Sequence, residues 1–143
     1  MKLRTFQIGS PRKSGEGIRI GTVQFLPRGV RKDDYARHDY FDVWFPALAP
    51  SRRLLSWAKR RAKGSELDVK DWRTFAERYE YEMTTQTNSR QSLRLLALLA
   101  KKHSLSIGCY CNNEKRCHRS ILHLLIKRAA RNKLFNKNLL ASL

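Results

Sequence analysis

The run Leu105-Ser-Ile-Gly-Cys-Tyr-Cys-Asn-Asn-Glu-Lys-Arg-Cys-His-Arg119 constrains the fold more than any other part of this chain. Leu105, Ile107 and Cys109 alternate with small residues as a short strand does, and a polar loop follows. From His118 to Arg131 the apolar residues Leu122, Leu125, Ile126 and Ala129 recur at helical spacing. A strand, a loop and a helix in that order form part of the β–α–β crossover from which parallel sheets are built. All three cysteines, Cys109, Cys111 and Cys117, lie within nine residues of this run. In an open parallel sheet, ligands bind at the carboxyl ends of the strands, so specific chemistry is expected here.

The rest of the chain extends that reading. Leu3 to Ile8 and Ile18 to Leu26 read as strands, the second with a bulge at Gly21, separated by a Gly-, Pro- and Ser-rich loop over 9–17. Tyr40 to Phe45 reads as a further strand or a buried loop, closed by Pro46 and Pro50. Ser51 is placed to cap a helix over Arg52 to Ala62, which Gly64 ends. Asp68 or Asp71 caps the next helix, whose Trp72, Phe75, Tyr79 and Met83 form one apolar face. Thr84 to Ser89 reads as a loop, and Leu93, Leu96, Ala97 and Ala100 mark another helix. The expected fold is α/β: a single compact domain over 1–143 with a mostly parallel sheet flanked by helices, and with 132–143 a possible C-terminal extension.

Charge bears on partners. Thirty Lys and Arg against twelve Asp and Glu give a formal net charge of +18. Residues 1–63 hold fifteen basic and five acidic side chains, 64–114 hold seven of each, and 115–143 hold eight basic and no acidic ones. Such a balance favours polyanions through phosphate neutralisation, so nucleic acid or a nucleotide is the expected partner. No apolar stretch reaches the ~20 residues of a bilayer span, and no apolar signal region follows Met1, so a cytoplasmic, reducing setting is expected. An odd cysteine count argues against a secreted disulfide framework.

Three chemistries fit the Cys–His run. As a thiol site, Cys117 would start a helix beside Lys115, Arg116 and Arg119, which lowers a thiol from its ordinary ~8.5. His118 would then serve as base and Cys111 as resolving thiol, making Cys117, His118 and Cys111 the candidate catalytic residues. As an anion site, Lys115, Arg116, His118 and Arg119 would surround the helix start, joined by Arg28 from the turn after the second strand. As a metal site, the run offers a Cys₃His set, but Cys117 and His118 are adjacent. Four ligands from ten residues are crowded, and no metal or cofactor is assigned. A cysteine phosphatase fails on spacing, since Lys115, Cys117 and His123 stand six positions after the three cysteines where Arg is required. The glycines at 15, 17 and 21 lack dinucleotide-fingerprint spacing and precede a strand. Core packing accounts for the aromatic residues between Tyr35 and Phe45, and pairing with neighbours such as Arg73 accounts for Glu77. His103 and His123 read as structural or exposed.

The elements Leu26-Pro-Arg-Gly-Val30, Leu48-Ala-Pro-Ser51, Trp72 and Phe75 with Arg78-Tyr79, and Cys-Tyr-Cys…Cys-His-Arg119 stand in an order that resembles the family called domain of unknown function 488. The resemblance runs from about Ile18 to Leu125 and implies a compact α/β cytoplasmic domain of prokaryotic type. It implies no reaction. Two functions stay open: a phosphate-ligand-binding protein and a thiol enzyme, with a structural metal site behind them.

Overall fold

The computed structural model describes residues 1–131. The extension expected over 132–143 lies outside the described residues. Strands β1 (Leu3–Gln7), β2 (Ile18–Gly21), β3 (Val43–Trp44) and β4 (Leu105–Cys109) form one sheet in the order β1-β4-β2-β3, with every neighbouring pair parallel. Helices α1 (Arg52–Arg61), α2 (Val69–Thr85) and α3 (Thr87–Ala100) fill the crossover from β3 to β4, and α4 (His118–Ala130) follows β4. The α/β fold with a parallel sheet is as the sequence predicts. β4 is central and buried along its whole length, which is why it reads as an uninterrupted run of apolar and small residues.

The two faces of the sheet are covered differently. On one, Leu105 and Ile107 pack against Tyr79 of α2, Leu93 of α3, and Leu122 and Leu125 of α4. On the other, Gly21 and Gly108 admit rings directly onto the backbone. A Cβ at Gly108 would lie 2.4 Å from Phe6 Cζ, and one at Gly21 would lie 2.4 Å from Phe41 Cδ1. Arg19 is fully buried on this face. Its guanidinium donates to the Glu16 carboxylate and to the carbonyls of Ser10, Pro11 and Asp39, and it stacks 4.4 Å over the Phe6 ring. The Gly/Pro/Ser segment is therefore a lid held down by one buried cation. Tyr35 and Phe41 are core residues, as expected.

The helix caps follow the sequence: the Ser51 hydroxyl accepts from Leu54 N–H and the Asp68 carboxylate from Asp71 N–H. Three expectations are corrected. The second strand stops at Gly21 rather than Leu26; just beyond it Thr22 gives its amide and hydroxyl to Gly108 O and its carbonyl to His118. The loop expected over 84–89 is a single break at Gln86. Thr84 and Thr85 satisfy their hydroxyls on the carbonyls of Glu80 and Tyr81, and Ser89 donates to Ala47 O, so these polar residues stay inside helices. Among the described residues, Arg73 and Glu77 form no ion pair; Glu80 pairs instead with Arg128 at 2.8 Å. His123 is structural, its Nε2 lying 3.2 Å from Leu3 O.

Candidate metal and ligand site

The parallel register brings the carboxyl ends of β2 and β4 side by side, and the loops leaving them wall a cavity of about 510 Å³. Cys109, Cys111, Cys117 and His118 line it together with Phe25 and Trp72, so sulfur and imidazole meet an aromatic wall. This is the position at which parallel α/β folds bind ligands.

Adjacency does not separate Cys117 from His118. Cys117 is extended (φ −127°, ψ 142°) as the residue that opens α4, and His118 is the first helical residue. Both side chains turn inward beneath β4, with Cys117 Sγ 3.9 Å from His118 Nδ1. One ligand atom from each of Cys109, Cys117 and His118 falls within 4.8 Å of the others, and all three residues are buried. Cys111 Sγ lies 3.7 Å from Cys109 Sγ on the exposed side. A tetrahedral zinc with Zn–S near 2.3 Å sets its sulfurs about 3.8 Å apart. The crowding that weighs against metal in the sequence is resolved by the strand-to-helix turn.

One ring nitrogen of the histidine is fixed by a backbone carbonyl. His118 Nε2 lies 2.8 Å from Thr22 O, and a carbonyl only accepts, so Nε2 carries the hydrogen. Burial pushes the imidazole down to about 4 against the opposing pull of that carbonyl, so the ring is neutral and its Nδ1 lone pair faces the sulfurs. Donation of the second ring N–H to a backbone carbonyl is the usual outer contact of a metal-ligating histidine. Thr22 is the residue that sequence reasoning missed; nothing in Gly21-Thr-Val23 marks it as a partner of residue 118.

The thiols divide unequally. Hydrogen bonds from Cys109 and Cys117, helped by the field of Arg119, lower Cys111 to about 2. Donation to Cys111 raises Cys109 to about 12, and donation to both other sulfurs together with burial raises Cys117. The direction at Cys117 is opposite to the lowering expected of a thiol at a helix start. Cys117 is buried beneath the chain and shares its proton with neighbouring sulfur, and the negative charge rests on exposed Cys111.

The expected anion cluster is also redistributed. Arg119 is buried and its Nη1 donates to the carbonyls of Cys109 (3.3 Å) and Cys111 (2.8 Å), clamping the Cys-Tyr-Cys turn. His118 is buried, and Arg116 donates to Asp68 O at 3.3 Å. Lys115 remains exposed, and Arg28 is exposed on the turn after β2, outside the residues that line the cavity. Further bonds fix the loop: Gln7 to Tyr110 O and Asn112, Tyr110 hydroxyl to Phe25 O, and Asn113 to Glu66. Thr5 hydroxyl also donates to the Glu114 carboxylate. A loop pinned at so many points holds its sulfurs in place before any ligand arrives.

With the fold and the site in view, the comparisons give the class of protein. Residues 3–130 match the family model DUF488-N3a, described as the active DUF488-N3 subclade, and the chain belongs to the domain of unknown function 488 family. A relative is the uncharacterized protein YeaO of Escherichia coli (strain K12), 30% identical over 122 residues that span 85% of this chain and 94% of that protein. No solved structure matches the chain. Among the described residues, no helix is long and apolar enough to cross a membrane.

Proposed function

We propose that the protein is a metal-dependent enzyme in which Cys109, Cys117 and His118 hold a Zn²⁺-class ion at the floor of the cavity, with Cys111 as an exchangeable fourth ligand. The observation that carries this reading is the convergence of the three buried ligand atoms within 4.8 Å, with His118 Nδ1 left free by the bond from Nε2 to Thr22. Soft thiolates with imidazole select zinc among the common divalent ions. Three thiolates around Zn²⁺ leave a net charge of −1, which buried Arg119 neutralises from the carbonyl side.

Cys111 decides what the centre does. Its backbone is held by Arg119, but its side chain is exposed and lines the cavity, so it is the ligand that a substrate or water would replace. A bound ion would supply Lewis-acid chemistry there, polarising a donor atom of a small substrate or activating water.

The experiment is elemental analysis of the full chain purified without chelator. Zinc equimolar with protein is expected, falling below about a tenth of that in Cys117→Ser and in His118→Ala. Metal-free protein with three freely titrating thiols, still folded and unable to take up added zinc, would overturn the proposal.

A further inference from the structure

One helix of the chain is strongly basic. In its ten residues α1 carries Arg52, Arg53, Lys59, Arg60 and Arg61 with no acid. Where α1 packs against α2, a groove of about 600 Å³ opens between them, lined by Arg53, Trp57 and Arg60 on one wall and by Arg78 and Tyr81 on the other. Arg53, Trp57 and Arg60 share one face because they stand four and three residues apart. The Tyr81 ring is 69% exposed, although it sits on a helix whose Phe75 and Tyr79 are buried. Trp57 is half-buried, with Arg78 stacked 4.6 Å over its ring.

Two acids of the groove count against an anion: Glu77, and Glu82, which accepts from both the amide and the hydroxyl of Ser51. Three arginines, Arg53, Arg60 and Arg78, stand against these two carboxylates. An exposed ring set among guanidinium groups along a concave surface matches what single-stranded nucleic acid requires: cations for phosphates and a π-face for an unstacked base. A lipid surface would call for an apolar stripe instead, and a duplex hides its base faces.

We infer that the α1–α2 groove binds single-stranded nucleic acid, with Arg53, Arg60 and Arg78 on phosphates, Tyr81 stacking a base and Trp57 backing Arg78. This site is independent of the metal centre.

The test is fluorescence anisotropy of a labelled poly-dT oligonucleotide titrated with the full-length protein at several salt concentrations. Three neutralised phosphates on a single strand give a slope of log affinity against log salt of about −2. The triple variant Arg53→Glu/Arg60→Glu/Arg78→Glu should lose at least about a hundredfold in affinity at low salt. The control Lys2→Glu/Lys101→Glu/Lys102→Glu, with the same change in net charge outside the groove, should lose less than about fivefold. Tyr81→Ala, at an exposed position, should lose about tenfold, which separates stacking from charge if the triple variant fails to fold. No binding at low salt overturns the inference. So does equal loss in the control, equal affinity for a duplex, no effect of Tyr81→Ala, or tighter binding to anionic lipid vesicles than to the oligonucleotide.

Discussion

The cysteine centre and the arginine groove are built on opposite plans. The centre is local in sequence and buried in space: Cys109 to Arg119 supply all its polar atoms except those of Thr22, and the strand-to-helix turn folds them inward. The groove is spread over residues 53 to 81 and open to solvent, its cations made neighbours only by the packing of α1 on α2. Arginine marks the difference. Arg119, beside the sulfurs, is consumed by two backbone carbonyls, whereas Arg53 and Arg60 stand exposed. The cysteine centre draws on local sequence density and the groove on tertiary packing, so the two features need not share a site.

The comparison predicts variants that damage one region and spare the other. Arg119→Met should weaken zinc binding by about 10- to 100-fold, measured by competition with a chelating dye, because it frees the carbonyls that hold the Cys-Tyr-Cys turn. Oligonucleotide affinity should stay within twofold or so of the parent, and a parallel loss in both assays would join what is here kept apart. Gly108→Ala should lower unfolding stability by about 1–3 kcal/mol in urea titrations, since its Cβ would meet the Phe6 ring at 2.4 Å. Its effect should fall on metal content before it falls on the groove, because Gly108 adjoins Cys109.

Acid gives a smaller, graded separation. Burial raises Asp42 and Glu16, but hydrogen bonds outweigh it and hold both below the ordinary carboxylate value: Arg12 and the Arg19 amide on Asp42, the Arg19 guanidinium on Glu16. Their stabilising contribution is complete above the unfolded value of about 4 and drains away as pH falls through the depressed folded values. Urea midpoints should therefore decline below about pH 4, and Asp42→Asn should flatten that decline. Neither Asp42 nor Glu16 lines the groove, so oligonucleotide binding should persist until the fold itself is lost.

Much of the fold was legible in the sequence. The apolar stripe Trp72–Met83, the caps at Ser51 and Asp68 and the strand Leu105–Cys109 are local patterns that tertiary packing did not override. The failures were tertiary. Thr84 to Ser89 looks like a loop by composition, yet its hydroxyls find carbonyls one turn back or across the molecule. Buried Arg19 looks like any other basic residue until the carbonyls around it are known. At the site, the sequence names the four side chains, but local spacing judges them too crowded. The inward turn at Cys117 and the distant Thr22 carbonyl that fixes His118 appear only in three dimensions.

The most direct test of the central claim is the absorption spectrum of the full chain reconstituted with Co²⁺. The account predicts intense tetrahedral visible bands and thiolate charge transfer in the near ultraviolet, both lost in Cys117→Ser and both kept in Arg53→Glu/Arg60→Glu/Arg78→Glu. A weak octahedral spectrum, or bands that survive Cys117→Ser, would contradict it.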